Sequence, residues 1–426
     1  MDRSLVAVLV GTFTLRFSTG LTGLLIVYYL ADLTDYGGQP VSSFAFSLTV
    51  AAFFAAELLL APPFGLLSDR VGHHRVMQLG PLFGMIAVVL TFATTDLGLL
   101  LFTRVLEGAS TAASVPSILG FIAMVTAADE LLRGRASARF EGATLAGLGA
   151  GFVAAGPIYF AIHQWGFLLN AVIYGVSLLI FRFGVREPPE AEAQRRAPHP
   201  GLRRYIAIIG SSHIWLLAPT WIAINAAIGL YTTQTIFQLV RTPDPEFADQ
   251  ALMGGFGPLG VSIGLAVGLV VFFAGLAFWG ERFRTMRRTT IIGYGIVGGF
   301  AMVAAAIVVN HGQSLPAPLL VADLVLLAAG LFVLAGATPA ALGLLADVTE
   351  AFPADRGAIM GLYSVFLALG QIGGSLIGAV AAEARGIDGI LLATMVLLGI
   401  ALLPLRALRH REHLVPGGVP GSVGLT

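Results

Sequence analysis

The sequence predicts an all-α integral membrane protein of twelve transmembrane helices, built as two six-helix bundles repeated in parallel, with both termini cytoplasmic. Three observations predict it: the composition, the spacing of apolar runs and an internal repeat. Of 426 residues, 57% are hydrophobic and 11% charged, against roughly 25% charged in soluble domains. Mean hydropathy is +0.87, which excludes a soluble globule. A crossing needs about 20 apolar residues, so twelve use about 240 and leave only short connections. The chain has no cysteine, which excludes disulfides, thiolate metal sites and cysteine nucleophiles. All 24 basic residues are arginine, which excludes Schiff-base chemistry through lysine. Zero net charge gives no case for a nucleic-acid partner.

In chain order, apolar runs fall at 5–30, 43–66, 76–95, 98–126, 140–163, 166–182, 205–238, 255–279, 289–309, 317–345, 358–382 and 389–408. The first is longer than a signal h-region and has no small-residue cleavage site, so it is read as a helix. The longest interruption rich in charge and proline, Arg182 to Arg204, follows the sixth run. The expected organisation is an N-terminal bundle over 1–182, a cytoplasmic linker over 183–204, a C-terminal bundle over 205–408 and a cytoplasmic tail over 409–426. Arginine placement sets the orientation, because positively charged loops stay inside. With the N-terminus inside, Arg241 and Arg385 are external, Arg16 and Arg104 lie within helices, and the remaining arginines are cytoplasmic.

The repeat supports the division. VPSILGFIAMVT at 115–126 and TPAALGLLADVT at 338–349 match at a constant offset of 223 residues, which also carries Arg133-Gly134 onto Arg356-Gly357 and Gly147 and Gly151 onto Gly370 and Gly374. Six-helix halves repeated in parallel are a transporter architecture.

Charged residues inside apolar runs are costly and mark candidate sites. Arg104, Glu107, Thr111 and Ser114 recur at intervals of three, four and three, one polar stripe on the fourth run. Arg16 lies about 17 Å along the first run, on a stripe with Thr12 and Thr19. Glu57 has apolar neighbours on both sides in the second run. Arg16 with Glu57, or Arg104 with Glu107, either forms a structural pair or serves substrate or proton binding. The seventh run presents Trp221, Asn225 and Thr232 on one face, and the eleventh presents Ser364, Gln371 and Ser375. These suit an amphipathic ligand, and also an interhelical hydrogen-bond network. Asp323 is nearer an external end. Runs 3, 6, 9 and 12 are read as free of ionisable residues. No HExxH, histidine box or carboxylate cluster with metal-ligand spacing occurs, so neither an enzyme nor a metal site is expected.

GLLSDRVGHHRVM, Gly65 to Met77, resembles the signature of the major facilitator superfamily. Gly65, Leu67, Asp69, Arg70, Gly72 and Arg75 fit it, while His73 and His74 replace more usual basic residues and are expected to be solvated. A weaker copy, Glu281, Arg282 and Arg287, follows the eighth run. The fourth run is similar to the arginine motif of proton-exchanging members, at Arg104, Gly108 and Ala112, with Glu107 where glutamine is more common. The fifth resembles the antiporter motif at Gly156-Pro157, with Phe160 and Ala161 replacing its glycine pair. The resemblance implies alternating access around a cavity, with Asp69 and its neighbours as a cytoplasmic gate and the third helix of each triplet outside. It implies a secondary transporter, expected to export an amphipathic or drug-like compound by proton coupling. Alternatives are a symporter or facilitator for a polar or anionic metabolite, with Arg16 on the anion, or a non-transporting assembly factor. No cofactor is expected beyond the proton gradient. The expected partners are a small-molecule substrate, protons and the lipid bilayer of the cytoplasmic membrane, and the chain is expected to act as a monomer.

Overall fold

A computed structural model describes residues 3–126, 130–186, 217–282, 285–351 and 356–410. Most of the expected linker, the start of the seventh run up to 216 and the tail from 411 lie outside the described residues. Regular structure among the described residues is helical throughout, as backbone groups in hydrocarbon require when no barrel closes. Packing divides the chain into two compact units, Met1–Pro198 with Phe256–Ala266, and His199–Gly255 with Val267–Thr426.

The first unit contains α1 (Arg3–Ala31), a 3₁₀ turn (Leu33–Tyr36), α2 (Ser43–Val71), α3 (His73–Met77), α4 (Leu79–Phe92), α5 (Leu97–Val125), α6 (Glu130–Ile162) and α7 (Gly166–Gly184). Side-chain caps start two of the helices: Ser42 accepts from the Ala45 N–H at 3.1 Å and Asp96 from the Leu99 N–H at 2.8 Å. Pro62-Pro63, Pro116 and Pro157 are carried inside α2, α5 and α6. The predicted third run is broken into α3 and α4, and α6 begins ten residues before the predicted fifth run.

The second unit contains α8 (Ala218–Val240), a 3₁₀ turn (Pro245–Phe247), most of α9 (Pro258–Glu281), α10 (Arg288–Asn310), α11 (Ala317–Leu334), α12 (Ala337–Ala351) and the helical stretch α13 (Arg356–His410). Residues of α13 leave helical geometry at Arg385 and at Gly386, where φ is 59°, a value that favours glycine. That break frees backbone donors and an acceptor, and Gln250 takes them up. Its Oε1 accepts from the Ile387 N–H at 2.8 Å and its Nε2 donates to the Arg385 carbonyl at 3.0 Å. Asn310 ties the same turn to α10, donating to Asp388 at 2.9 Å and accepting from the Leu252 N–H at 3.0 Å.

Nine helical stretches among the described residues are long and apolar enough to cross a membrane. Two of them, Arg135–Gly184 at 50 residues and Ser364–His410 at 47, each exceed twice the length that one crossing needs. The outer faces are apolar, as on α11, where Leu319, Val321, Leu324 and Val325 are exposed. Small residues set the helix spacing. In the first unit Gly20, Gly147 and Gly151 bring α1 and α6 so close that a Cβ at any of them would strike main-chain atoms of the facing helix. Gly370 and Gly374 hold α13 against α8 in the same way.

Candidate functional site

The polar groups of the first unit converge from five helices. On α5, Arg104 and Glu107 are 7% and 3% exposed and form a direct ion pair one helical turn apart. The Arg104 guanidinium also lies over the Phe53 ring of α2, 5.0 Å from its centroid, a cation–π contact that holds the side chain inside. Gly108 allows this approach, because a Cβ there would meet Ala56 at 2.7 Å. Arg104 Nε and Glu107 Oε1 are buried without a hydrogen-bond partner.

Arg16, on α1, is half-buried. Its aliphatic stem rests where Gly147 of α6 leaves space, with a Cβ at Gly147 falling 2.9 Å from Arg16 Cβ. Its charge is in electrostatic reach of Glu57 on α2, Glu141 on α6 and the Tyr174 phenol on α7. Glu141 is exposed. Tyr174 is 1% exposed and its ring lies against α4, filling space that a side chain at Gly84 would occupy. Its hydroxyl is near Thr19 and Thr22, with Arg16 and Arg104 both in electrostatic reach. Asn170 fixes α7 to α1 nearby, donating to the Ser18 carbonyl at 3.0 Å and to Thr22 Oγ1 at 2.6 Å.

Two members of this cluster escape the sequence reading. The sixth run is read as free of ionisable groups, yet α7 supplies Tyr174. Glu141 stands at the first turn of the predicted fifth run, whereas α6 starts at Glu130 and places it three turns along a helix.

The second unit makes the same backbone contact without charge. The glycines that match Gly147 and Gly151 in the repeat, Gly370 and Gly374, pack on α8 at Ile222, Asn225 and Ala226. Asn225 Cβ meets the position of a Cβ at Gly370 at 2.5 Å, so Asn225 occupies the place that Arg16 holds beside Gly147. Asn225 is 4% exposed and donates to the Trp221 carbonyl of its own helix at 2.9 Å. Gln371 lies against Gly229, as Leu148 lies against Gly20. Trp221 is 1% exposed and packs in the apolar core with Ile224, Ile291, Ile292 and Leu398. Thr232 turns back onto the Ile228 carbonyl and Ser375 onto the Ile372 carbonyl. At the repeat offset, Arg104, Glu107 and Glu141 fall on Leu327, Gly330 and Ser364.

The loop motif of the first unit is compact. Gly72 has φ 114° and donates its N–H to the Ser68 carbonyl, turning the chain from α2 into α3. Gly65 is half-buried beside Pro116, and Arg70 and Arg75 are both exposed. Asp69 stands 4.0 Å from His73 Nε2. The two histidines are half-buried, contrary to the expectation of solvated groups. His73 bonds Ser68 Oγ at 3.2 Å, and His74 reaches the Phe181 carbonyl at 2.9 Å. The short α3 directs both rings back toward α2 and α7.

At the other end of α1, Asp32 accepts a hydrogen bond from Tyr159 at 3.0 Å, and the Tyr159 and Tyr36 hydroxyls are 3.2 Å apart. Burial pushes the Asp32 carboxyl above its ordinary range, against the lowering effect of the Tyr159 bond.

The family model of the Major Facilitator Superfamily matches residues 8–350. Multidrug resistance protein 2 of Bacillus subtilis is 24% identical over 341 residues, 78% of each chain. Protein spinster homolog 1 of Xenopus tropicalis is 28% identical over 157 residues, a match spanning 36% of this chain and 30% of the frog protein. Among solved structures, a bacterial homolog of the human lysosomal transporter Spinster, inward-facing and unoccupied, superposes with a TM-score of 0.70. That match has 13% identity and covers 95% of this chain and 96% of the other. With its apolar helices and signature loop, the chain belongs to the Major Facilitator Superfamily, as a multi-pass membrane transporter.

Proposed function

We propose that the chain crosses the cytoplasmic membrane twelve times, six per repeat with both termini inside, and exports a small amphipathic or drug-like compound in exchange for protons. One observation carries this reading: charged side chains are kept in the first unit at helix contacts that the second unit makes with neutral residues. A charge at membrane depth costs roughly 2.5–3.5 kcal/mol on insertion scales, and the neutral contact argues that packing does not require it. Arg104 and Glu107 are the coupled pair in this mechanism. A carboxylate that alternates between an arginine and a drier surrounding loads and releases a proton. Glu57 is a second proton site or the partner of Arg16. Asp69, with Gly65, Arg70, Gly72 and Arg75, closes the cytoplasmic side in one state. The Bacillus relative, a multidrug resistance protein matched over most of its length, supports the substrate class.

Dye retention tests the reading. Cells producing the protein are expected to accumulate less of a lipophilic dye than cells producing an Arg104→Leu/Glu107→Ala variant, and a protonophore should abolish the difference. Uptake driven by an inward proton gradient would replace export with symport. Equal dye levels with and without the protein, across several dyes, would reject drug export.

A further inference from the structure

Two packed helices of the first unit place an arginine and an aromatic ring at matching heights. Arg75 precedes Phe92 by 17 residues along the α3–α4 stretch, and Trp165 precedes Arg182 by 17 along α7. At 1.5 Å per residue each interval is about 25 Å, close to the roughly 30 Å of a bilayer's hydrocarbon. At one end the rings of Phe92 and Trp165 lie with centroids 4.9 Å apart, an aromatic pair of the kind that marks a membrane surface. At the other end the His74 ring reaches the Phe181 carbonyl at 2.9 Å. Arg75 and Arg182 are the next residues after that pair, so the same bond draws both arginines to one corner, where both are exposed.

A groove runs between the two ends. Val172, Gly175, Leu179 and Arg182 recur at intervals of three, four and three, one stripe of α7. Arg75, Leu82 and Val89 recur every seven residues on the facing stretch, and Gln78 keeps helical φ and ψ between α3 and α4. The floor is Gly175, where a Cβ would lie 4.0 Å from Met85 Sδ. Val172, Leu179 and Val89 are exposed along its sides. Among the described residues neither arginine is in an ion pair. We propose that this groove holds one phospholipid with a net negative headgroup, its phosphate between Arg75 and Arg182 and an acyl chain over Gly175. A guanidinium meets phosphate oxygens with paired N–H donors, and basic sites between helices at the inner surface take anionic headgroups. A zwitterionic lipid brings a phosphate too, but its own ammonium cancels the charge that two arginines call for. This inference goes beyond export: its leaflet follows from the orientation proposed above, and its headgroup preference from the residues alone.

The test uses the purified full-length protein in detergent, with phosphatidylglycerol and phosphatidylcholine of identical acyl chains, and counts bound lipid by native mass spectrometry. One phosphatidylglycerol should bind saturably, about tenfold tighter than phosphatidylcholine, as one charge-assisted contact implies. Arg182→Gln should remove most of that preference. Arg135→Gln, which deletes an exposed arginine on α6, should leave it intact. Arg75 also belongs to the signature loop, so the second decisive variant is Gly175→Leu, which keeps every charge and fills the groove. It should weaken phosphatidylglycerol binding several-fold, and it gives a readout even where Arg182→Gln fails to fold. Equal affinity for the two lipids overturns the proposal. So do equal losses in Arg182→Gln and Arg135→Gln, which would make the attraction a diffuse property of the arginine-rich end. Unchanged phosphatidylglycerol binding in Gly175→Leu overturns it as well, because the lipid would then lie elsewhere. Since no transport is measured, a protein that binds lipid in this way and exports nothing would sink the export reading and leave this one standing.

Discussion

The two units solve one packing problem with different chemistry. In each, a pair of glycines four residues apart lets one helix press its backbone onto another, Gly147 and Gly151 of α6 on α1, Gly370 and Gly374 of α13 on α8. At the tightest point, the first unit has Arg16 and the second Asn225. An asparagine satisfies itself on its own helix, donating to the Trp221 carbonyl. An arginine has to find anions elsewhere, and Glu57 and Glu141 stand in reach. Helix association in lipid rests on small residues and close van der Waals contact, and the neutral version satisfies that requirement. The charges are thus an addition to the packing, and the proposed proton and substrate site is what accounts for them.

The largest expected effect concerns the buried pair on α5. Neutralising Glu107 alone strands Arg104 in a site where it is 7% exposed, and breaking a buried pair from one side costs about 3–5 kcal/mol. Replacing both together, as Arg104→Leu with Glu107→Ala, imitates the neutral Leu327 and Gly330 of the second unit. The double variant should recover most of the stability lost in Glu107→Ala, read by thermal unfolding, and should show no gradient-driven transport. Gradient-driven transport by the double variant would make the pair a structural feature and erase the contrast between the units.

Exchanging the residues at the glycine contact should give an asymmetric result. Arg16→Asn removes a cation beside two carboxylates, which can take up protons in its place, so the variant should fold and lose transport. Asn225→Arg places a charge that cannot be shed where Trp221 and an apolar core surround it. It should destabilise by about 2.5–3.5 kcal/mol and lower the yield of folded protein. Equal tolerance of both substitutions would show that the second unit has an anion available, and that its neutrality is incidental.

Much of this contrast is legible in the amino-acid order. Run lengths, the signature loop and the repeat offset of 223 residues lead to an all-helical membrane transporter, because apolar length and glycine spacing are local properties. The stripe of Arg104 and Glu107 is legible too, since helical periodicity places them together. Contacts between runs are not. Glu141 falls at the first turn of the predicted fifth run, beside a charged stretch, and nothing in that run reveals its electrostatic reach to Arg16 on α1. Tyr174 reads as one aromatic among many until Gly84 is seen to make room for its ring. The histidines of the signature loop are expected in solvent because the motif usually holds longer basic side chains there; imidazoles are short enough to turn back onto Ser68 and the Phe181 carbonyl. The break at Arg385-Gly386 depends on Gln250, 135 residues earlier, a pairing that no local window contains.

The smallest expected effect is at the far end of α1, where the first unit has an Asp32, Tyr159 and Tyr36 chain and the second a histidine-carboxylate contact, His311 to Asp388 at 2.9 Å. The folded protein raises the Asp32 carboxyl above its ordinary value of 3.8, chiefly by burial, with Asp35 adding to the rise and Tyr159 and His163 opposing it. A raised acid pKa means that the folded state holds the proton where the unfolded chain has released it. Stability from this group is therefore full below 3.8 and is lost as pH rises through the folded value. Because Asp32 is only half-buried, solvent screening keeps the effect small. Asp32→Asn mimics the protonated form, so it should flatten the fall in unfolding temperature across the carboxylate range and leave the protein slightly more stable near neutrality. Tyr159→Phe removes a bond to the carboxylate and should push the Asp32 titration upward, steepening the same fall. An unchanged pH slope in both variants would show that another carboxyl sets it, and would leave the outer end of the first unit with no pH response of its own.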